Sequence, residues 1–383
     1  MSTSTNINTN KNRCYDNLTP KSNKNIGFIL KKYVSLLKDM NIQDPYFMKL
    51  IYSHLSKAVH VKKECIVTKT SKQPWVEGEF VGPTVKEEVM QSEFKSYFVE
   101  TKIEGFTFDI ELFTSDISFD LERFLFFIHV VLALCCKNTT TKTRHFRLRL
   151  ILSDAEKIKG HAIPDHLNSG YTENYKELVI YRKEEFLKVF IHECFHLFCL
   201  EFSETYTTQY KEMLRSIFKV ESDYLLFESV CEYWARTLNC AFVSFFMKEE
   251  MTFQEFEKIF VLNLSMETIF SMIQMKNYLS LHNLTYEDVL NKHTISYKEE
   301  TNGFCYYVIT SILMFHYQPT MNWFVNHNET MLNFSKSNKD LYLFHQYIQS
   351  IYNSKEFTDT LKKLKTFRLE NMSMSLFDIE IYG

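Results

Sequence analysis

Only 8 glycines and 6 prolines interrupt the 383 residues of this chain. These are the residues that break helices and shape tight turns. A chain so poor in them is committed to long uninterrupted elements, and a sandwich of many short strands is disfavoured. The expectation is a helix-rich fold, with enough chain for one large domain or two lobes with cores of their own. Hydrophobic residues at 45% and charged residues at 24% are the balance of a soluble globular protein, and 35 Phe and 22 Tyr supply the bulk of a ring-packed core.

Charge and cysteine usage narrow the function classes. The formal net charge is −3, the pI is near 6.5 and no arginine-rich stripe is present, so nucleic acid is not the expected partner. The basic cluster Lys362, Lys363 and Lys365 reads as a solvated helix face. Nine cysteines, an odd number with no CxxC pair, point to free thiols and an intracellular, cytoplasmic protein. Met1 to Asn25 is a polar stretch without an apolar segment, expected to be a disordered tail and not a signal peptide. The most lipid-like run, Phe124 to Cys136, falls short of the roughly 20 residues a membrane span needs and contains His129, so it reads as a buried core helix.

Hydrophobic periodicity divides the chain into a mixed first half and a helical second half. Helical spacing runs from Ile26 to Leu55. Alternation on both sides of Glu104-Gly105, from Phe98 to Phe113, predicts a hairpin. A helix over 118–136 is followed by a strand over His145–Leu152, in which Phe146, Leu148, Leu150 and Leu152 share one face. A loop from Asp154 to Glu177, holding His161 and His166, leads to a short strand at Leu178–Tyr181 and a helix over 183–200. Further helices are expected over 204–217, 224–240, 252–275, 297–317 and 339–351. The fold class is therefore α+β, with a sheet-bearing lobe over 26–203 and a helical lobe over 204–383.

The chemistry is concentrated in His192-Glu193-Cys194-Phe195-His196, an HExxH pattern. On a helix, i and i+4 face the same way, so both imidazoles reach one ion. Zinc takes neutral imidazole nitrogens and, in a catalytic site, keeps one position open for water. Glu193, next to the first ligand, is placed to take that water's proton. The flanks Phe190-Ile191 and Leu197-Phe198 are apolar, and two histidines and a carboxylate buried there without partners would be costly. A glycine and a third histidine at the spacing of the metzincin pattern are absent, since Cys199 and Phe202 occupy those positions. Downstream, Glu228 and Glu232 stand at i and i+4 in a second apolar helix, where two like charges repel. Both are accounted for if one binds the ion and the other accepts the free N–H of a ligand histidine.

In these residues the chain resembles the gluzincin zinc metallopeptidases, in which HExxH is completed by a glutamate on a later helix. The resemblance covers about 168–240. It implies a zincin-like fold, one Zn2+, a peptide or protein substrate, Glu193 as catalytic base, Glu228 as third metal ligand and Glu232 as its supporting carboxylate. The interval from His196 to Glu228 is longer than that group's commonest one, which leaves Glu232 open as the ligand. It also implies a substrate-pairing strand before the metal helix, for which Leu178–Tyr181 stands in place, and an oxyanion-stabilising group on a later helix. Tyr306 and Tyr307 are the candidates for the latter, with His316 and His327 behind them. The Asn/Lys/Phe/Tyr-rich, Gly-poor composition is also similar to that of uncharacterised metallopeptidase-like proteins of large DNA viruses. The rival expectations are a zinc hydrolase of a non-peptide amide or ester, and a non-catalytic helical binding protein with a structural or vestigial metal site.

Overall fold

The computed structural model describes residues 18–40, 42–158, 160, 163–291, 297–365 and 372–382. The expected disordered stretch 1–25 falls mostly outside these. Its last residues, however, are helical: α1 (Pro20–Asp39) starts where Thr19 caps the backbone N–H of Ser22 and a proline takes the first helical position. α2 (Pro45–Val59) begins the same way, from the carboxylate of Asp44.

A single mixed sheet of six strands follows. Its strands are β1 (Lys63–Thr70), β2 (Lys95–Ile103), β3 (Phe106–Thr114), β4 (His145–Leu152), β5 (Gly170–Glu173) and β6 (Glu177–Ile180), in the spatial order β1-β2-β3-β4-β6-β5. β2 and β3 form the predicted hairpin, turned by Glu104 and Gly105 at φ values of 51° and 79°. Two successive positive φ values are the twist-matched turn for a two-residue hairpin. β3 and β4 are parallel and joined by α4 (Leu121–Asn138), with Phe108 opposite Phe146, Ile110 opposite Leu148 and Leu112 opposite Leu150. These six side chains are buried beneath α4 and the later helix α6 (Phe186–Leu197). The opposite face is charged and laced by Arg149, Glu111 and Glu177. It is partly covered by α3 (Pro83–Gln91) and the valines Val81, Val85 and Val89. The expected core helix over Phe124–Cys136 is buried along its length as α4, and among the described residues no helix is long and apolar enough to cross a membrane.

The second half is helical: α7 (Thr208–Ile217), α8 (Leu226–Phe245), α9 (Phe253–Leu281), α10 (Tyr286–Asn291), α11 (Thr310–Phe315), α12 (Tyr317–His327), α13 (Asn338–Ile351) and α14 (Lys355–Lys363). The helix expected over 297–317 is broken. Glu299 accepts the backbone N–H of Phe304 at 2.8 Å, and a π-helical turn, Phe304–Ile309, precedes α11. The residue before that turn must be Gly303, because a Cβ there would lie 2.3 Å from the Tyr278 hydroxyl. Lys362, Lys363 and Lys365 are exposed on and just past α14, as expected. None of the eight described cysteines is in a disulfide.

Two features cross the sequence halves. α1 and α2 pack on α9, within one continuous apolar core. Residues 372–382 run back, buried, along the start of α6 (Phe186–Leu197). There the Glu185 carboxylate accepts the backbone N–H groups of Met374 and Ser375 at 2.8 and 2.6 Å and the Lys157 ammonium at 2.7 Å. Glu185 has φ 56° and offers α6 no side-chain cap; these contacts hold it instead.

Candidate metal centre

α6 lies across the sheet, with Phe186 against Phe124 and, just past its end, Phe198 against Phe146 at ring separations of 5.1 and 5.0 Å. Eleven of its twelve residues are buried, the exception being His196, which is partly exposed. Its periodicity therefore marks no solvent side, and the polar residues His192, Glu193 and His196 all face protein groups. α8 packs beside it through Trp234 stacked on Phe195 and supplies Glu228 and Glu232.

The two glutamates take different places. Glu228 Oε2 lies 3.3 Å from His192 Nε2 and 3.6 Å from His196 Nε2. Glu232 stands behind His192, its Oε2 3.1 Å from Nδ1. Ligands about 2.05 Å from a tetrahedral zinc are about 3.3 Å from one another. These two separations are compatible with donors arranged around one cation, and the three ligand atoms all lie within 4.8 Å of each other. The chemistry of the donors agrees with this. His192 has a carboxylate oxygen at each ring nitrogen, which without a cation requires an imidazolium. With a cation bound, a neutral ring would donate Nδ1–H to Glu232 and leave Nε2 free to hold the ion.

His196 is braced in the same way by a residue that sequence reasoning overlooked. α6 ends at Leu197 with Phe198 as its cap, and Cys199, at φ 50°, reverses the chain in the left-handed conformation usual after a helix. The reversal brings Glu201 back, with Oε1 3.5 Å from His196 Nδ1 and Cys231 Sγ at 4.0 Å. Its only trace in the sequence is an acidic residue at the end of an apolar run. Arg236, fully buried, was also overlooked. It donates from Nε to Glu232 at 2.8 Å, and from another nitrogen to the Tyr306 carbonyl at 3.0 Å. Its signal is a cation four residues after Glu232. Lys188, one turn before His192, completes the bracing, with Nζ 3.2 Å from both Glu232 oxygens.

Electrostatics follow from this packing. Burial alone would raise the Glu228 pKa, but the charges of His196 and His192 and their hydrogen bonds reverse it, and the group is held ionised. Glu232 is likewise driven well below the carboxylate range, burial being outweighed by Lys188 and Arg236. Burial lowers the His192 pKa, yet the hydrogen bonds to Glu228 and Glu232 win and it is raised. Glu193 goes the other way: burial lifts it above the usual range against the pull of His192, His196 and Thr172. A carboxylate of raised pKa is a better proton acceptor.

Glu193 also meets the sheet. Thr172 of β5 donates its hydroxyl to Glu193 Oε2 at 2.9 Å. The strand approaches closely because of Gly170, where a Cβ would lie 2.9 Å from the Val179 carbonyl and 3.2 Å from Glu193 Cγ. This corrects the expected substrate strand. Leu178–Ile180 of β6 are paired on both sides, by β4 and β5, and offer no free edge. The edge beside Glu193 belongs to β5, whose outer side pairs with no strand among the described residues.

Of the two tyrosines, the structure brings in one. Tyr306 donates to Glu228 Oε2 at 3.2 Å and its ring lies 5.8 Å from that of His192. Tyr307, the next residue, points the other way into the core, stacked on Tyr278 and bonded to the Met372 carbonyl, so it is not part of the cluster. His316 bonds Ser354 and His327 packs on Trp323, both away from it. His166 sits on the short helix α5 (Pro164–Leu167) outside the cluster, and His161 lies outside the described residues.

Comparison with protein-family models, with curated proteins and with solved structures gives no match.

Proposed function

We propose that this chain is a zinc-dependent hydrolase of the gluzincin type, cleaving peptide bonds, with a zincin-like arrangement of sheet edge and metal helix. The observation that carries the reading is the convergence of His192 Nε2, His196 Nε2 and Glu228 Oε2, with the Nδ1 atoms of both histidines braced from behind by Glu232 and Glu201. A purely structural ion would normally be closed by a fourth protein ligand, and among the described residues the cluster offers three. His192, His196 and Glu228 would hold the ion, which supplies Lewis acidity and an acidified water.

The remaining work falls to this chain's own groups. Glu193 accepts the proton of the attacking water and returns it to the leaving amine, its carboxylate kept in place by Thr172. The free edge of β5 pairs with the substrate backbone as an added strand, which lays the scissile bond alongside Glu193. Tyr306, its backbone anchored by Arg236, turns the hydroxyl that now donates to Glu228 toward the oxygen that becomes negative. The test is zinc content and cleavage of a capped peptide library by the wild type and Glu193→Gln. The reading requires zinc in both and cleavage at least about 10²-fold slower in the second. A protein that binds no zinc, or one that cleaves undiminished as Glu193→Gln, overturns it.

A further inference from the structure

Beside the metal cluster lies a small cavity of about 30 Å³. Its walls are Ser169 and Gly170 at the start of β5, Lys188 and Glu193 on α6, Lys157 from the loop after β4, and Met374 from the returning segment. At about 10–15 Å³ per water, it takes two water molecules, or one carboxylate in their place. Its donors are not used up. The hydroxyl of Ser169 is buried and has no hydrogen-bond partner among the described residues. Lys188 directs two of its three N–H groups to Glu232 and the third toward the sulfur of Met374 at 3.7 Å, a weak acceptor. Buried donors left in this condition are costly unless a ligand supplies the acceptor.

Lys157 is paired with Glu185, and Lys188 and Arg236 with Glu232; with Glu193 and Glu228 added, these groups carry one excess negative charge, which a divalent cation held by Glu228 would turn into one excess positive charge. An acceptor that carries negative charge then fits better than a neutral one. The small volume excludes long and bulky side chains.

We infer that this cavity is a specificity subsite for a short acidic side chain, aspartate, on one of the two residues flanking the scissile bond, bound by Ser169 and Lys188. The place of that side chain beside a scissile bond rests on the peptidase reading; the binding itself does not. It is therefore tested on zinc-loaded, full-length wild-type protein, with peptides whose two central amide bonds are replaced by hydroxyethylene groups that cannot be hydrolysed. Affinities are measured by calorimetry for capped alanine hexapeptides carrying Asp, Asn, Ala or Leu at a central position. The Asp peptide should bind about tenfold tighter than the Ala peptide, as expected for hydrogen bonds to a charged group, with Leu weakest. Adding Ser169→Ala should cost the Asp peptide most of that advantage and leave the Ala peptide unchanged. Equal affinities, tighter binding of Leu, no measurable binding of any peptide, or indifference to Ser169→Ala each overturns the subsite. If the Asp preference holds while the wild type cleaves nothing, the hydrolase reading fails and the subsite stands.

Discussion

Glu232 is where the proposed metal site and the stability of the fold meet, so Glu232→Gln separates the two. Its oxygens face His192 Nδ1, Arg236 Nε and Lys188 Nζ, and it is 1% exposed. Removing the charge leaves two buried cations without their counterion, a loss of about 3–5 kcal/mol in the metal-free protein. It also removes the carboxylate that orients His192, which weakens zinc by about 10–100-fold, or about 1.4–2.7 kcal/mol. With an unfolding entropy of about 2.1 cal/mol/K per residue, 383 residues give roughly 0.8 kcal/mol/K near Tm. The metal-free Tm should therefore drop by about 4–6 °C. The rise in Tm on adding saturating zinc should shrink by a further 2–3 °C or so. Differential scanning in chelator and in excess zinc reads both, and a competing chromophoric chelator reads the affinity directly. If zinc affinity is unchanged while the metal-free Tm falls, Glu232 does not orient His192 and the argument fails. If zinc is lost outright, Glu232 is itself a ligand and the assignment to Glu228 is wrong.

Other expectations follow from the same geometry. His196→Ala should lose zinc entirely in a metal-content assay, since one of three donors is gone. Glu193→Gln should keep zinc and lose about 10²–10⁴ in kcat. In chelator, the raised pKa of His192 and the well-raised pKa of His196 contribute stability that is fully present below their unfolded value of 6.5. That contribution is lost as pH rises through the folded values, so denaturant unfolding in chelator should show stability declining above about pH 6.5, a decline that bound zinc suppresses. Asp378 is a buried acid pushed up to about 8 by burial and by Glu185 and Glu184. Its folded pKa exceeds the unfolded 3.8, so it costs stability progressively, about 1.4 kcal/mol per pH unit, as pH rises from about 4 to about 8. Asp378→Asn should flatten that slope in urea unfolding across this range.

The parts of the fold and site legible in the sequence are those written in short-range periodicity. The β2–β3 hairpin announced itself because Glu104-Gly105 separates two alternating runs, and β4 because Phe146, Leu148 and Leu150 alternate with Arg147 and Arg149. β1 stayed hidden because its residues are exposed or only partly covered along the whole strand, and a strand with no buried face carries no period-two signal. β5 reads as part of a loop because it is four residues long with a glycine in it, although that glycine is what lets it reach Glu193. Within the centre, the i, i+4 pairs His192/His196 and Glu228/Glu232 were readable because both partners of each pair lie on one helix. Which glutamate faces Nε2 depends on how α8 is rotated against α6, and Glu201, Thr172 and Arg236 act through contacts that no local spacing encodes.

The returning segment also has a consequence for the order in which the molecule can be completed on the ribosome. Glu185, at the root of the helix that carries both histidines, donates its backbone N–H to the carboxylate of Asp378, 193 positions later in the chain. A nascent chain that has already made the helix, the sheet and Glu228 still lacks Met374 and Ser375, which saturate the Glu185 carboxylate. Contacts so distant in sequence form slowly. Assembly of the cluster thus waits for residues 374–378 to leave the ribosome, and proteolytic clipping near residue 372 would remove these contacts without touching any of the proposed metal ligands.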